Sequence, residues 1–148
     1  MPRLVVWLML LLASALQPAS AGTVRVALLI GNSAYERMGA LPNPPRDVAL
    51  LKSAFEKAGF ESVETVVDAD RKAMIRALRT FADKAAGADV AVVYFSGHGL
   101  QMGGTNYLVP VDAALAADTD VADEAVTLER VLEALEGARR LKFVILDA

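Results

Sequence analysis

Residues 89–99 read DVAVVYFSGHG and join a strand-forming run to the only histidine of the 148-residue chain. The apolar, β-branched and aromatic side chains of residues 90–95 predict a strand that is buried on both faces of a sheet. His98 follows this strand between Gly97 and Gly99. An open parallel sheet binds ligands beyond the carboxyl ends of its strands, so this position makes His98 a candidate functional residue.

Strands and amphipathic helices alternate along the rest of the chain. The other strand-like runs are residues 24–30 (VRVALLI), 60–67 and 142–146 (KFVIL). Predicted helices begin after the capping residues Asn43, Asp70 and Thr127, and a loop or hairpin covers residues 103–110. The helices repeat apolar residues at helical spacing: Val48, Leu51, Phe55 and Ala58; Met74, Leu78, Phe81 and Ala85; Leu128, Val131, Leu132 and Leu135. This order predicts an α/β fold with a mostly parallel sheet and helices on both faces.

The first 21 residues have the order of a secretory signal peptide. A basic Arg3 precedes an apolar run over residues 4–16, and Ala19-Ser20-Ala21 follows. The alternative is a membrane anchor, but the run is shorter than the roughly 20 residues that a spanning helix needs. We expect cleavage after Ala21, a secreted or periplasmic mature protein starting at Gly22, and no stable membrane span.

Composition excludes several classes of function. The net charge of −3 provides no basic field for a nucleic acid. With no cysteine and one histidine, the sequence predicts no disulfide framework and no metal site. Residues 112–124 are rich in carboxylates but lack the spacing of a calcium loop, so a solvated loop is the expectation.

Two other kinds of site fit these residues less well. Ser96 and His98 invite a serine hydrolase, but residues two apart in an extended segment do not face each other, and no G-x-S-x-G elbow is present. A flavodoxin-like phosphate binder would need a glycine-rich turn after its first strand, where only Gly31 stands.

Four blocks in this order resemble the caspase-like cysteine peptidases, which include metacaspases and bacterial secreted relatives. The blocks are ALLIGNSAY…LPNPPRDVALLKSAFEKAGF, YFSGHG, NYLVPVDA and VILDA. The resemblance covers residues 24–148. It implies a three-layer caspase-like (caspase-hemoglobinase) fold, and a p20-like catalytic domain of peptidase family C14 over residues 22–148.

The resemblance also implies catalytic roles. His98 matches the histidine of the family's Cys-His dyad, and Gly99 matches the residue whose backbone N–H helps to form the oxyanion hole. The family's cysteine follows the next core strand, in a context that resembles D-A-C-R. It would come directly after Ala148, some 50 residues beyond the histidine. We therefore expect this to be the N-terminal, C-terminally incomplete portion of the domain, inactive as given. A caspase-fold pseudoenzyme that binds partners is the alternative.

By the same resemblance, Asp47, Ser96 and Asp147 would bind the substrate. Two carboxylates favour a guanidinium or ammonium group, as in metacaspases that cleave protein or peptide substrates after Arg or Lys. Asp47 could instead only stabilise the first turn of its helix. No cofactor is implied, with calcium as the one alternative, since some metacaspases need it.

Overall fold

The computed structural model describes residues 22–148, so the predicted signal peptide lies outside the described residues. Within these residues no helix is long and apolar enough to cross a membrane. The strands are β1 (Arg25–Gly31), β2 (Ser62–Val67), β3 (Val90–Ser96), β4 (Gly99–Met102), β5 (Thr105–Leu108), β6 (Val126–Thr127) and β7 (Leu141–Asp147). The α-helices are α1 (Pro44–Lys57), α2 (Arg71–Ala85), α3 (Val121–Glu124) and α4 (Leu128–Glu133).

The main sheet is parallel and has the strand order β2-β1-β3-β7. β1 and β3 lie at its centre and are buried along almost their whole length, as their apolar sequences predict. The register aligns Val67, Gly31, Ser96 and Asp147 in one row across the carboxyl ends of the four strands. A smaller antiparallel sheet, β4-β5-β6, lies outside this one.

Helices cover both faces of the main sheet, which confirms the predicted α/β layers. On one face α2 and α4 pack against β1 and β3, and Phe81 and Phe95 are among the largest fully buried side chains there. On the other face α1 packs through Val48, with half-buried Leu51 and Phe55 beside it. The α2 face predicted from the sequence is buried at every position.

The helix ends agree with the sequence with one exception. The Asp70 carboxylate accepts from the Ala73 N–H at 2.6 Å, and the Thr127 hydroxyl accepts from the Arg130 N–H at 3.2 Å. Gly59 ends α1 with a φ of 80°. Asn43 begins α1 without a side-chain capping bond; only its carbonyl accepts from the helix, and Pro44 occupies the first turn.

β7 is an edge strand, and its Phe143 is 51% exposed because no described strand pairs with its outer side. Two expectations about the burial of helix residues were wrong. Leu132 is 48% exposed, whereas the neighbouring Val131 and Leu135 are buried, and Ala58 is exposed beyond the last residue of α1. Core strands and edge strands carry similar apolar runs, so composition did not separate them.

The acidic connector, residues 112–124, is exposed at seven of its 13 positions, and some of its carboxylates also bind the backbone. Glu124 Oε2 accepts from the backbone N–H groups of Ala114 at 2.6 Å and Leu115 at 2.8 Å. Asp112 Oδ1 accepts from the Arg71 N–H at 2.9 Å, at the start of α2. These acidic side chains therefore bind the backbone and shape the segment between β5 and β6.

Gly31 lets α1 approach the sheet. A Cβ atom at Gly31 would lie 2.7 Å from Val48 Cγ2 and 2.9 Å from the Pro44 carbonyl oxygen. These contacts are too short for a real Cβ, and one of them is to the backbone of α1. The glycine at the end of β1 therefore determines how closely the first turn of α1, with Asp47, lies to the carboxyl edge of the sheet.

Replacing Gly31 with alanine is expected to displace α1 and lower the free energy of unfolding by about 1–3 kcal/mol, the usual range for overpacking. Urea unfolding curves would measure the loss. Gly87→Ala is the matched control, since the nearest atom to its Cβ would be 3.9 Å away. Equal stability of the two variants would show that α1 is not held in this way.

Candidate functional site

A cleft of about 240 Å³ opens at the carboxyl edge of the main sheet. It contains four of the five site residues predicted from the sequence: Asp47, Ser96, His98 and Asp147. Its other lining residues are Leu41, Pro42, Asn43, Pro44, Gly97 and Ala148. The fifth predicted residue, Gly99, lines a neighbouring cleft that shares Ala148 with this one. The topology thus brings together residues that are up to 100 positions apart in the sequence.

The carboxylates approach the cleft from different elements. Asp47 lies in the first turn of α1 and is half-buried, whereas Asp147 ends β7 and is exposed. Ser96, at the end of β3, is buried and lies in register with Asp147. Arg46, the neighbouring basic residue, does not line the cleft, and neither does any other lysine or arginine.

Tyr94 lies beneath these acidic groups and was missed in the sequence. Its hydroxyl lies 3.4 Å from Asp147 Oδ2. Burial raises the pKa of Tyr94, and the negative charges of Asp147 and Asp47 raise it further. Tyr94 therefore stays protonated and can donate to the carboxylate. The alternation of side chains along β3 indicates that Tyr94 and Ser96 share a face of the sheet. Because Tyr94 lies in an apolar run, it was interpreted only as a core residue.

His98 is held by a backbone oxygen. Its Nε2 lies 2.7 Å from the carbonyl oxygen of Gly39, in the loop of residues 32–43 between β1 and α1. A carbonyl can only accept, so Nε2 must carry the proton. In the neutral imidazole Nδ1 then has the free lone pair and is the basic nitrogen. Gly39 contributes its backbone carbonyl, a group that every residue has, so the sequence gives no signal for this role.

Buried Asn32 anchors the start of this loop. Its Oδ1 accepts from the Ala69 N–H at 2.9 Å, and its Nδ2 donates to the Val109 carbonyl at 3.1 Å. Asp68 supports the next turn, where its Oδ1 accepts from the N–H groups of Ser33 at 2.7 Å and Ala34 at 2.8 Å. The loop that presents Gly39 is thus bound to the segments following both β2 and β5.

Tyr35 links the same loop to His98. Its hydroxyl accepts from the His98 backbone N–H at 2.7 Å and lies 3.2 Å from the Val109 carbonyl oxygen, to which it donates. Burial raises the pKa of Tyr35 to about 12, with a further contribution from the charge of Asp68. Tyr35 is therefore a neutral donor at physiological pH.

Gly99 pairs with Leu108 at the start of the β4–β5 hairpin. Because the preceding residue accepts from Val109, the alternation of an antiparallel ladder directs the Gly99 N–H away from β5. A Cβ at Gly99 would lie 2.9 Å from the Ala148 Cβ. Gly99 thus leaves room for Ala148, and its N–H is not used by the hairpin.

Within residues 22–148 there is no group of three or more His, Cys, Asp or Glu residues that could hold a metal ion. In the acidic connector, Asp112, Asp120 and Glu124 accept hydrogen bonds from backbone N–H groups.

The family model for the caspase domain of the C14 peptidases matches residues 24–148, so the chain belongs to the caspase-domain family. The predicted caspase-like fold is confirmed by this match together with the parallel, helix-covered sheet.

One curated relative is the mucosa-associated lymphoid tissue lymphoma translocation protein 1 homolog of Mus musculus. The chain is 33% identical to it over 89 residues, which is 60% of this chain and 11% of that protein. The chain therefore spans about a tenth of the length of this relative.

The raised pKa of Tyr35 predicts a loss of stability in alkali. Unfolded tyrosine ionises near pH 10, whereas folded Tyr35 ionises near 12, so the unfolded state binds fewer protons between these values. The free energy of unfolding should therefore fall as pH rises from about 10 to 12, by up to about 2–3 kcal/mol from this residue. In Tyr35→Phe this fall in the free energy of unfolding with pH should be absent.

Urea unfolding at stepped pH measures the free energy of unfolding, and Tyr107→Phe is the control. Identical dependence on pH in the wild type and both variants would contradict the prediction.

Proposed function

We propose that this chain is the histidine-bearing part of a cysteine endopeptidase that cleaves proteins after Arg or Lys. The observation that carries the proposal is the joint presence, in one cleft, of an oriented imidazole and two carboxylates without any lysine or arginine. The first feature suits proton transfer, and the second suits recognition of a cationic side chain.

The chemistry follows from the tautomer of His98. A cysteine thiol gives its proton to Nδ1, and the resulting thiolate attacks the scissile carbonyl carbon. The imidazolium then protonates the leaving amine, while Nε2–H stays bonded to the Gly39 carbonyl. The Gly99 N–H supplies one donor for the developing oxyanion. Each proton taken from the thiol is thereby delivered to the amine product.

The thiol has to come from outside these 148 residues, which contain no cysteine. Ala148 lines the cleft together with His98 and lies against Gly99. A cysteine bonded to Ala148 would therefore be close to both the proposed base and the proposed oxyanion donor. We infer that the 148 residues alone form no thioacyl intermediate.

The acidic groups support the specificity for basic residues. Asp47 and Asp147 can each accept from a guanidinium, and the Ser96 hydroxyl is a neutral acceptor in the same cleft. An aspartate side chain would face two like charges and no cation there. The Tyr94 hydroxyl, near Asp147 Oδ2, restricts the orientation of that carboxylate.

The alternative is a caspase-fold pseudoenzyme that acts as a binding module. The residue that follows Ala148 in the full-length protein separates the two. Cysteine there supports the peptidase, and any other residue supports the pseudoenzyme.

A panel of fluorogenic peptides with Arg, Lys, Asp or Ala before the scissile bond tests the proposal. The 148-residue chain should hydrolyse none of them, because His98 has no thiol to activate. A polypeptide that continues from Ala148 with a cysteine-bearing segment should cleave after Arg and Lys, and His98→Ala should abolish turnover.

In that longer polypeptide Asp47→Asn should lower kcat/KM for the Arg peptide by roughly ten- to a hundredfold, about 1.4–2.8 kcal/mol of binding free energy. Asp83→Asn on α2 is the matched control, since Asp83 is exposed and not part of the cleft. Preference for the Asp peptide would overturn the acidic pocket, and full activity of His98→Ala would overturn the dyad.

A further inference from the structure

The β4–β5 hairpin begins with an incomplete pair of residues. The His98 carbonyl accepts from the Val109 N–H at 2.9 Å, as in an antiparallel ladder. The reciprocal bond, from the His98 N–H to the Val109 carbonyl, is replaced by the Tyr35 hydroxyl. That hydroxyl accepts from the His98 N–H at 2.7 Å and donates to the Val109 carbonyl, 3.2 Å away. A side chain from another loop thus occupies the position of a ladder hydrogen bond.

Gly97 makes room for this insertion. A Cβ atom at Gly97 would lie 2.6 Å from the Tyr35 hydroxyl oxygen and 2.8 Å from Phe95 Cζ. The backbone of Gly97 does not adopt a positive φ. What matters at this position is the absence of a side chain, which leaves the space through which the phenol reaches the His98 N–H.

Tyr35 also contacts the imidazole itself. The two ring centroids are 4.5 Å apart, with a tilt of 53°. Tyr35 is buried in a small apolar cluster with Val109, Val111 and Ala113, so its ring has little freedom to move. One side chain therefore fixes both the backbone and the ring of His98.

Tyr35 and the carbonyl of Gly39 belong to the same loop, residues 32–43. Tyr35 holds His98 from its backbone side, and Gly39 accepts from Nε2 at the far end of the ring. Rotation of the imidazole away from Gly39 would also break its packing on the phenol. The two contacts restrict the ring to one orientation.

We propose that Tyr35 is the positioning residue of His98, and that its hydroxyl keeps the imidazole in the orientation in which Nε2–H is bonded to Gly39 and Nδ1 is free. The inference rests on the proposed function for its importance to proton transfer. The orientation itself exists without a thiol and can be measured in the 148-residue chain.

The experiment is NMR of the chain labelled with ¹⁵N-histidine, at a pH above the ordinary histidine pKa of about 6.5. With one histidine, the imidazole signals need no assignment. We expect a protonated Nε2, an unprotonated Nδ1 and an Nε2-bound proton that is protected from exchange with solvent. The His98 amide should also be protected, although its ladder bond is absent.

Tyr35→Phe retains the ring and removes only the hydroxyl. The Nε2-bound proton signal should disappear through solvent exchange, and the His98 amide should exchange at least about tenfold faster. Tyr107→Phe is the matched control, because Tyr107 lies on the same hairpin but makes no contact with His98 through a hydrogen bond or ring pair. It should leave both signals unchanged. Sucrose is added to all samples because it favours the folded state and keeps a less stable variant folded.

Two outcomes overturn the proposal. One is a Tyr35→Phe spectrum in which both the Nε2-bound proton and the His98 amide stay as protected as in the wild type. The other needs no variant: a wild-type imidazole without a protected Nε2 proton, or a His98 amide that exchanges as fast as those of Gly103 and Gly104 in the hairpin turn. Failure of the peptide panel with these NMR results intact would refute the peptidase and leave the positioning role standing.

Discussion

The site depends on the parallel pairing of β3 with β1 on one side and β7 on the other. This register places Gly31, Ser96 and Asp147 in one row at the carboxyl edge of the sheet. A shift of one residue in either pair would turn the neighbouring side chain to the opposite face. His98 follows the row directly, and the close approach of α1 to Gly31 adds Asp47. A histidine and two carboxylates from distant parts of the sequence thus meet through strand pairing and the packing of α1 on the sheet.

A second constraint is the buried amide of Asn32. A polar group without exposure to water has to form its hydrogen bonds internally, and Asn32 does so with Ala69 and Val109. These partners belong to segments that follow β2 and β5, so the loop of residues 32–43 cannot move independently of them. The loop in turn presents the Gly39 carbonyl and the Tyr35 phenol to His98. The orientation of the imidazole is therefore coupled to the packing of the central sheet.

Much of this arrangement could be predicted from the sequence because it depends on periodicity and strand ends. The positions of β1 and β3, the capping residues Asp70 and Thr127 and the place of His98 after β3 follow from such patterns. The family resemblance supplied Asp47, Ser96 and Asp147, together with the proposed roles of all the site residues. The exposure of β7 was not predictable, since its run of apolar side chains is like that of a central strand. The support of His98 was missed because Gly39 acts through its backbone and Tyr35 acts from a loop that is 63 positions away in sequence.

A single added cysteine tests the proposed Cys-His dyad most directly. In the chain extended by one cysteine after Ala148, the thiol is unique, since the 148 residues contain none. Its ionisation can be followed by thiolate absorbance or by the pH dependence of alkylation. A thiol beside an imidazole ionises well below the ordinary value of about 8.5. We expect the added thiol to ionise with a midpoint at least about one pH unit below 8.5, and we expect this midpoint to return towards 8.5 in His98→Ala. A midpoint near 8.5 that His98→Ala leaves unchanged would contradict the dyad.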